Sequence, residues 1–481
     1  MVSPTVIKEP YHPVVQLRFG SSDFIVTIPP QHLMEFTAIE RRGGRDQATL
    51  TFIDPTFTRL ESRLLQLDKE RTAKTKKDTD NTALFYRWGF PGLGLENRIW
   101  KQGLIATYTP TLTISGMRIS IDLWAIGTQF AFLTEPGTYY GKISSVVTQL
   151  AQEMGYPNSN IFVEETNDDD NADLNQPWPI HNLSRLDFID SLMTRAVSKE
   201  NPQKPYFFRL AMDSTFHFHT VDFSKTKKMR RAEPRLFKTL FGDPESPVTD
   251  FSPSYNARRI GSVAQSVLAT TYDPRTKQYQ KRVLSRQNIG MSTRDDPKNA
   301  RTTAGPLVKS TDLKEQEKKV NASVYKQSQQ TALGGACSGK TRHQYTNPES
   351  AFAELEHSYK LLHETITNAS IELVGLPGLE DFSADEYYCD VHVVLPPDSV
   401  ESAINAGGSE ELDQIANKVG LEPSYGLHWS SGRYLIKNVT HSITTGYTIS
   451  AELFRSTNLD GPDEARTGPP KKPQLTTVPT T

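Results

Sequence analysis

One short pattern occurs twice in this chain, and it restricts the fold more than anything else in the sequence. Gly116-Met-Arg-Ile119-Ser120-Ile-Asp122-Leu123-Trp124 aligns without gaps on Gly446-Tyr-Thr-Ile449-Ser450-Ala-Glu452-Leu453-Phe454. The shared pattern is Gly-x-x-Ile-Ser-x-acid-Leu-aromatic. In the second copy Ile449, Ala451 and Leu453 alternate with Thr448, Ser450 and Glu452, which gives a strand one apolar face and one wet face. Each copy follows another strand-like run that begins just after a glycine, Gly103 or Gly432, and the two glycine-to-glycine spacings differ by one residue. Gly116 and Gly446 stand where a hairpin turn calls for positive φ. Two independent hairpins share alternation for physical reasons alone. They do not as readily share Ile-Ser-x-acid-Leu-aromatic, so the pattern reads as a duplicated β unit.

The rest of the chain fits around these two hairpins. Val14–Phe19 and Asp23–Ile28 read as strands flanking a Gly20-Ser21-Ser22 turn. Further strands are expected at Ala38–Glu40, Gln47–Ile53, Ala83–Trp88, Gly103–Tyr108, Leu112–Ser115 and Met117–Ala125. From Gly141 the period changes. Ile143, Val146, Val147, Leu150, Ala151 and Met154 fall on one face of a helix that should stop at Gly155. Leu186, Ile189, Leu192, Met193 and Ala196 mark a second helix, with Asn182 or Ser184 as cap. A strand pair follows at Tyr206–Leu210 and Thr215–Phe223, and strands resume at Val248–Phe251 and Ile260–Asp273. Phe352, Leu355, Tyr359, Leu362, Ile366 and Ala369 space as a helix, more simply one packed on a sheet than a coiled-coil seam. Strands at Ser370–Val374, Tyr387–Leu395, Tyr434–Thr440 and Tyr447–Phe454 close the chain.

The expected fold class is a β-rich α+β multidomain protein. It has two related β-barrel domains, an inserted small α+β domain and a long flexible insertion. The first barrel is assigned to 1–140, with a charged insertion near 58–82, and the α+β domain to 141–232. The second barrel takes 233–285 plus 350–456. Residues 286–349 are rich in Lys, Arg, Gln, Ser, Thr and Gly, and bury too little apolar surface to offset their ordering entropy. Residues 457–481 form a Pro/Thr/Lys tail.

Charge and cysteine content remove several function classes. The chain has 481 residues, and its 54 basic and 56 acidic residues nearly cancel, so no global field selects nucleic acid or membrane. Two cysteines, Cys337 and Cys389, cannot form a disulfide framework, which suits a reducing cytoplasm. Met1–Pro13 has no apolar h-region of a signal peptide, and no run is long and apolar enough for a membrane span.

Motifs for chemistry are present only in fragments. Gly334–Thr341 fits the phosphate-cradling G-x-x-x-x-G-K-T spacing, but neither an apolar strand before it nor a helix after it is expected. His217 and His219 share one face of a strand, yet no third ligand has a suggestive spacing, so a structural strand is the simpler reading. His392, His428 and His441 form no spacing motif. The acidic run Asp168–Asp173 lacks the mid-loop Gly and closing Glu of an EF-hand and reads as a solvated loop. Glu354, Glu356 and Glu364 read as a helix's solvent side, and Lys225–Arg231 as a basic linker between domains. No catalytic, cofactor-binding or metal residue is assigned, and no cofactor is expected.

The order of parts resembles the baseplate hub proteins of long-tailed bacteriophages, the related late-control proteins and the hub-like part of type VI secretion spike proteins. Four stretches carry the resemblance. The first-barrel stretch is Leu84–Phe90 with Gly103–Tyr108 and Gly116–Leu123. The two-helix unit is Ile143–Gly155 and His181–Val197, with Tyr206–Leu210 and Phe216–Phe223. The opening of the second barrel is Val248–Ser254 with Ala269–Thr276, and its closing hairpin is Gly432–His441. The resemblance spans Val14 to Ser456, and the insertion at 286–349 departs from compact members. It implies a homotrimer at the tip of a tail, joining a sixfold tail tube or distal tail protein to a threefold central spike. It also implies a channel for the tape-measure protein and DNA, no sequence-specific nucleic acid, a place in the virion after assembly in the host cytoplasm, and no enzyme activity. Two alternatives come from other classes: a tail-tip peptidoglycan hydrolase on a hub-like scaffold, which needs paired carboxylates or a zinc triad, and a receptor- or sugar-binding tail protein, which needs exposed aromatic clusters.

Overall fold

Alternation of apolar and polar residues is realised as strands over most of the described residues. A computed structural model of the chain describes residues 12–19, 25–55, 84–132, 134, 136–167, 177–180, 183–202, 204–221, 234–240, 246–255, 267–273, 278–284, 330–331, 353–354, 356–358, 360–361, 367–395, 426–427 and 430–455. The first strands are β1 (Val14–Phe19), β2 (Ile25–Ile28), β3 (Leu33–Arg41), β4 (Gly44–Arg45), β5 (Gln47–Asp54), β6 (Leu84–Gly89), β7 (Lys101–Thr113) and β8 (Gly116–Trp124). Next come β9 (Gly137–Tyr140), β10 (Ile161–Val163), β11 (Pro177–Ile180), β12 (Tyr206–Leu210) and β13 (Phe216–Thr220), with helices at Ile143–Glu153 and Arg185–Met193. The remainder are β14 (Arg235–Leu240), β15 (Val248–Tyr255), β16 (Val267–Asp273), β17 (Gln278–Leu284), β18 (Gln330–Thr331), β19 (Thr367–Val374), β20 (Tyr388–Leu395), β21 (Gly426–Leu427), β22 (Gly432–Ile443) and β23 (Tyr447–Arg455).

Among the described residues one 14-stranded sheet runs through both β regions, in the order β15-β19-β23-β22-β3-β5-β8-β7-β6-β1-β2, with β14, β20 and β21 branching from it. The order contains the same unit twice. In each unit the first strand pairs with the second, the second with the fourth and the fourth with the third, all antiparallel. The unit is β3-β5-β8-β7 in the first half and β15-β19-β23-β22 in the second.

The registers match down to the irregularities. β7 shifts register at Ala106, between Ile105↔Leu123 and Thr107↔Asp122. β22 shifts at Lys437, between Ile436↔Leu453 and Asn438↔Glu452. β3 skips Met34 between Leu33↔Phe52 and Glu35↔Thr51, and β15 skips Thr249 between Val248↔Leu373 and Asp250↔Glu372. A bulge is a local choice of backbone, so two bulges at equivalent rungs of the two units indicate common descent more strongly than alternation does. Aligned on these rungs, Leu33–Glu40 (LMEFTAIE) answers to Val248–Tyr255 (VTDFSPSY), and Gln47–Ile53 (QATLTFI) to Asn368–Val374 (NASIELV). A fifth strand matches as well. β6 pairs with Lys101–Gly103 at the start of β7, and β20 pairs with Gly432–Leu435 at the start of β22.

The apolar faces meet in one continuous core. β6 folds back over the first unit: the Phe36 ring of β3 lies 6.0 Å from Tyr86 and 5.2 Å from Trp88. In the second unit Phe251 of β15 lies 5.8 Å from Tyr434 of β22. The segment between the units carries the two helices and a four-stranded sheet, β10-β13-β12-β4. Its edge strand β4 comes from the β3–β5 connection of the first unit, so the segment is tied to that unit by backbone pairing, Arg209↔Gly44 and Leu210↔Arg45. The first helix ends at Gly155, whose φ is +94°, and buries Ile143, Val146, Val147, Leu150 and Ala151. The second is capped by Ser184, whose Oγ accepts from Asp187 N at 3.1 Å; Asn182 lies outside the described residues.

Several expectations need correction. Gly116 has φ +140°, but Gly446 takes no positive φ, because the second hairpin turns through three residues, Thr444–Gly446, where the first uses two, Ile114–Ser115. Gly103 does not start its strand. It is the third residue of β7 and answers to Tyr434, while Gly432 answers to Lys101. Leu112–Ser115 is not a separate strand but the end of β7. Pro110 is tolerated inside that strand because no described strand pairs with its outer edge there. The strand expected from Thr215 starts at Phe216, since Ser214 takes φ +65° at the turn; it runs to Thr220, and Asp222 and Phe223 lie outside the described residues. Ala369, expected on a helix, lies in β19, because the run from Thr367 pairs with β15 and β23. Arg235–Leu240 was not foreseen and runs parallel to β20.

A glycine-specific prediction follows. A Cβ on Gly116 would lie 2.6 Å from Asp54 O with the backbone at φ +140°, whereas Gly446 has open space around it. Gly116→Ala should cost about 2–3 kcal/mol, and Gly446→Ala should stay within about 0.5 kcal/mol, in chemical denaturation. Equal losses would contradict the two turn geometries.

Candidate functional site: the hydroxyl-rich face

The duplicated units leave one face of the sheet wet. On the first unit it presents Thr37, Thr49, Thr107, Thr109, Thr111 and Ser120, with Thr51 buried among them; on the second, Ser252, Ser254, Ser370, Thr440, Ser442, Thr448 and Ser450. The face is continuous across the junction between units, since Ser442 pairs with Thr37 and Thr440 with Ile39. Hydroxyls bridge neighbouring strands. Thr49 Oγ1 donates to Asp122 Oδ1 at 3.0 Å, Thr107 Oγ1 donates to the other Asp122 oxygen, and Thr51 and Ser120 hydroxyls lie 3.1 Å apart. At the matching rung of the second unit Lys437 Nζ donates to Glu452 Oε2 at 2.6 Å, and Asn438 Oδ1 accepts from Glu452 N at 3.1 Å. The strand carboxylates Glu35, Asp122, Asp250, Glu372 and Glu452 outnumber the cations Arg41, Arg118 and Lys437 on this face. Such a surface offers rows of neutral hydroxyls with a small excess of negative charge.

A buried charge network anchors this face to the inserted segment. Arg209 of β12 grips Asp46 with two nitrogens: Nε donates to Oδ1 at 3.1 Å and Nη2 to Oδ2 at 2.6 Å. Its Nη1 donates to Asp385 Oδ1, and Nη2 approaches Glu40 Oε2 at 3.5 Å; Lys101 Nζ donates to Glu40 Oε1. Burial alone would pull the Arg209 guanidinium down, but Asp385, Asp46 and Glu40 hold it above its ordinary value. Burial pushes the Asp46 carboxyl up, against the pull of Arg209. The two units are stapled by Arg42, which donates from N to Lys437 O at 2.8 Å, from Nε to Ile436 O at 2.7 Å and from Nη2 to Tyr387 O at 2.8 Å. None of these residues stood out in the sequence. The available signal was a lone arginine in the otherwise apolar run Tyr206–Leu210.

The residues singled out for chemistry are placed as follows. His217 and His219 are buried and lie 3.2 Å apart, Nδ1 to Nε2. His217 Nε2 is 2.8 Å from Thr215 Oγ1, and His219 Nε2 is 3.2 Å from Tyr387 OH. Among the described residues no group of three or more His, Cys, Asp or Glu could hold a metal ion. His441 is buried between Tyr447 OH at 2.7 Å and Phe382 O at 2.8 Å, and His392 is buried on β20. Glu354 and Glu356 are half-buried rather than on a solvent side; Glu356 lies 3.8 Å from the buried Lys360. Glu164, ahead of the acidic run Asp168–Asp173, is buried and accepts from Thr220 N at 2.6 Å and Thr220 Oγ1 at 2.7 Å. Asp168–Asp173, Lys225–Arg231, Gly334–Thr341, Cys337, His428, Glu364, the insertion near 58–82, most of 286–349 and the tail 457–481 lie outside the described residues.

Two buried histidines set an acid sensitivity. Burial, with the neighbouring His217, brings His219 down to about 3, and burial beside Lys360 brings His357 down to about 4. Both are neutral in the folded chain, so the unfolded chain binds more protons below pH 6.5. Stability is therefore fully present above pH 6.5 and lost as pH falls toward 4 and 3, at about 1.4 kcal/mol per pH unit for each histidine. Denaturation at pH 7.0 and 5.0 should show this loss, and His219→Asn should remove one histidine's share of the slope. An unchanged slope would contradict the buried neutral ring.

No family model matches the sequence, and no curated protein matches it. Solved structures do. A tail protein from Neisseria meningitidis MC58 is 9% identical with a TM-score of 0.48, over 92% of this chain and 97% of that one. The 43 kDa tail protein of prophage MuSo2 from Shewanella oneidensis is 10% identical with a TM-score of 0.42, over 93% and 97%. An Escherichia coli component of the type VI secretion system, described as structurally similar to tail proteins of T4 bacteriophage, is 9% identical with a TM-score of 0.41, over 92% and 78%.

Proposed function

We propose that this chain is the structural hub of a phage tail tip. In this reading a trimer joins the sixfold tail tube to a threefold central spike and lines the channel for the tape-measure protein and DNA. The observation that carries it is the head-to-tail duplication: unit two hands its β22 edge to the β3 edge of unit one, in antiparallel register. A head-to-tail contact of this kind closes into a ring when the rotation allows, and three chains then present six similar units. One edge of such a ring can match a sixfold tube and the other a threefold spike. In this reading each unit is one sector of the ring's wall, and the ring, not the single unit, closes the sheet. The hydroxyl-rich face is the lumen. Its excess of carboxylates and its lack of clustered cations suit a wall along which a polyanion slides without sticking.

The test is location. A gold-labelled antibody against this chain, applied to intact virions, should mark the end of the tail distal to the head. Label along the tube, on fibres or at the head would overturn the reading.

A further inference from the structure

β22 changes partner partway along its length. Gly432–Leu435 pairs with β20, the Lys437 bulge follows, and Asn438–Ile443 pairs with β3 of the other unit. β7 makes the same start. Lys101–Gly103 pairs with β6 and the Ala106 bulge follows, but no described strand pairs with the outer edge of Thr107–Thr113. At the far end of the sheet β15 answers to β3, and likewise no described strand pairs with its outer edge. Exposure follows this difference. Val439, His441 and Ile443 on β22 are buried, whereas at the equivalent places on β7 Tyr108 is half-buried and Pro110 and Leu112 are exposed; Ile443 is 3% exposed and Leu112 74%. Phe36 is 1% exposed on β3, while Phe251 on β15 is half-buried.

We infer that the occupant of each edge is a second copy of this chain: Thr107–Thr113 of one copy pairs antiparallel with Phe251–Tyr255 of the next, in the register of the internal junction. This rests on the ring reading above and specifies the joint. Transferring Thr440↔Ile39, His441↔Ala38, Ser442↔Thr37 and Ile443↔Phe36 places Thr109 opposite Ser254, Pro110 opposite Pro253, Thr111 opposite Ser252 and Leu112 opposite Phe251.

The proline rung gives the joint a property that the internal junction lacks. Because Arg42 N donates to Lys437 O, the rungs that exchange hydrogen bonds alternate from there, and His441↔Ala38 is one of them. At the transferred rung both donors are prolines, so two ladder bonds are missing from the middle of the joint. A proline facing outward also blunts an edge against pairing with unrelated strands. The joint therefore closes through side-chain fit around a gap in the ladder, such as Leu112 against Phe251, and copies stay separable at low concentration.

Disulfide trapping tests the register. Thr109↔Ser254 falls at a rung without exchanged hydrogen bonds, where Cα atoms approach to about 4.5 Å and a disulfide can form. Full-length chain carrying T109C and S254C, with Cys337→Ser and the buried Cys389 left in place, should oxidise to covalent trimers. The off-register pair T109C with D250C should stay monomeric on a denaturing gel. Covalent species longer than trimers would support the joint and contradict threefold closure. No cross-link in a sample that native mass spectrometry shows as trimer would overturn the joint and leave the ring standing. No cross-link with monomers only would overturn both. In a separate variant, Pro110→Thr with Pro253→Thr restores two donors and should lower the dissociation concentration about tenfold or more. An unchanged or higher value would contradict the proposed register.

Discussion

Replacing Arg209 by methionine is expected to cost about 3–5 kcal/mol of folding free energy. A typical domain has roughly 5–15 kcal/mol in total, so this is a large share. The guanidinium is buried and holds Asp46, Asp385 and Glu40 at once, and its removal takes a cation from all three, with Lys101 still on Glu40 and the Arg41 and Met212 N–H groups still on Asp46. Asp46 and Glu40 are 1% and 2% exposed, so water cannot replace the lost partner. Lysine should not rescue, because it cannot donate in parallel to both oxygens of Asp46. The measurement is urea denaturation of the wild type, Arg209→Met and Arg209→Lys. Losses below about 1 kcal/mol in both variants would show that the network is not a structural anchor.

The second large effect is expected at Tyr447, where the seam between the two units is packed. Its ring is 6% exposed, lies over Gly375, and approaches Phe90 at 6.1 Å between ring centres. Gly375 leaves the space the ring occupies, and Gly375 N donates to Tyr447 O at 2.8 Å. The hydroxyl gathers Trp88 Nε1 of the first unit at 3.2 Å and His441 Nδ1 of the second at 2.7 Å. Tyr447→Ala should cost about 3–5 kcal/mol through the cavity and the lost contacts. Tyr447→Phe keeps the ring and leaves a buried indole N–H without its acceptor, for about 1–3 kcal/mol. If the two variants lose the same amount, the ring's packing is not what joins the units.

What was legible in the sequence is what local period encodes. The helix 143–153 showed its buried face in the spacing of Ile143, Val146, Val147, Leu150 and Ala151. The paired hairpins showed in Ile-Ser-x-acid-Leu-aromatic. The rest of the repeat was present but too degenerate to find: LMEFTAIE and VTDFSPSY share little beyond an acid, a phenylalanine and a hydroxyl. Only pairing register, with bulges at Met34 and Thr249, brings them together. The junction β22–β3 joins strands far apart in the chain, and no short-range pattern signals such a pair. Equating Gly116 with Gly446 failed because one added turn residue removes the need for positive φ. The anchoring arginine was missed because a buried ion in a strand has the same local signature as a solvated one. The hydroxyl-rich face was visible strand by strand, but not as one surface until the sheet order was known.

The central claim is that two copies of one β unit, joined head to tail, continue the same contact between chains until a ring closes. Cryo-electron microscopy of the purified full-length chain tests this most directly. The account predicts a threefold ring with approximate sixfold repetition, with Thr109, Thr440 and their hydroxyl neighbours facing a central channel and Phe251–Tyr255 against Thr107–Thr113 of the next copy. Monomers or twofold dimers under all conditions, or a ring whose lumen is lined by another face, would contradict it.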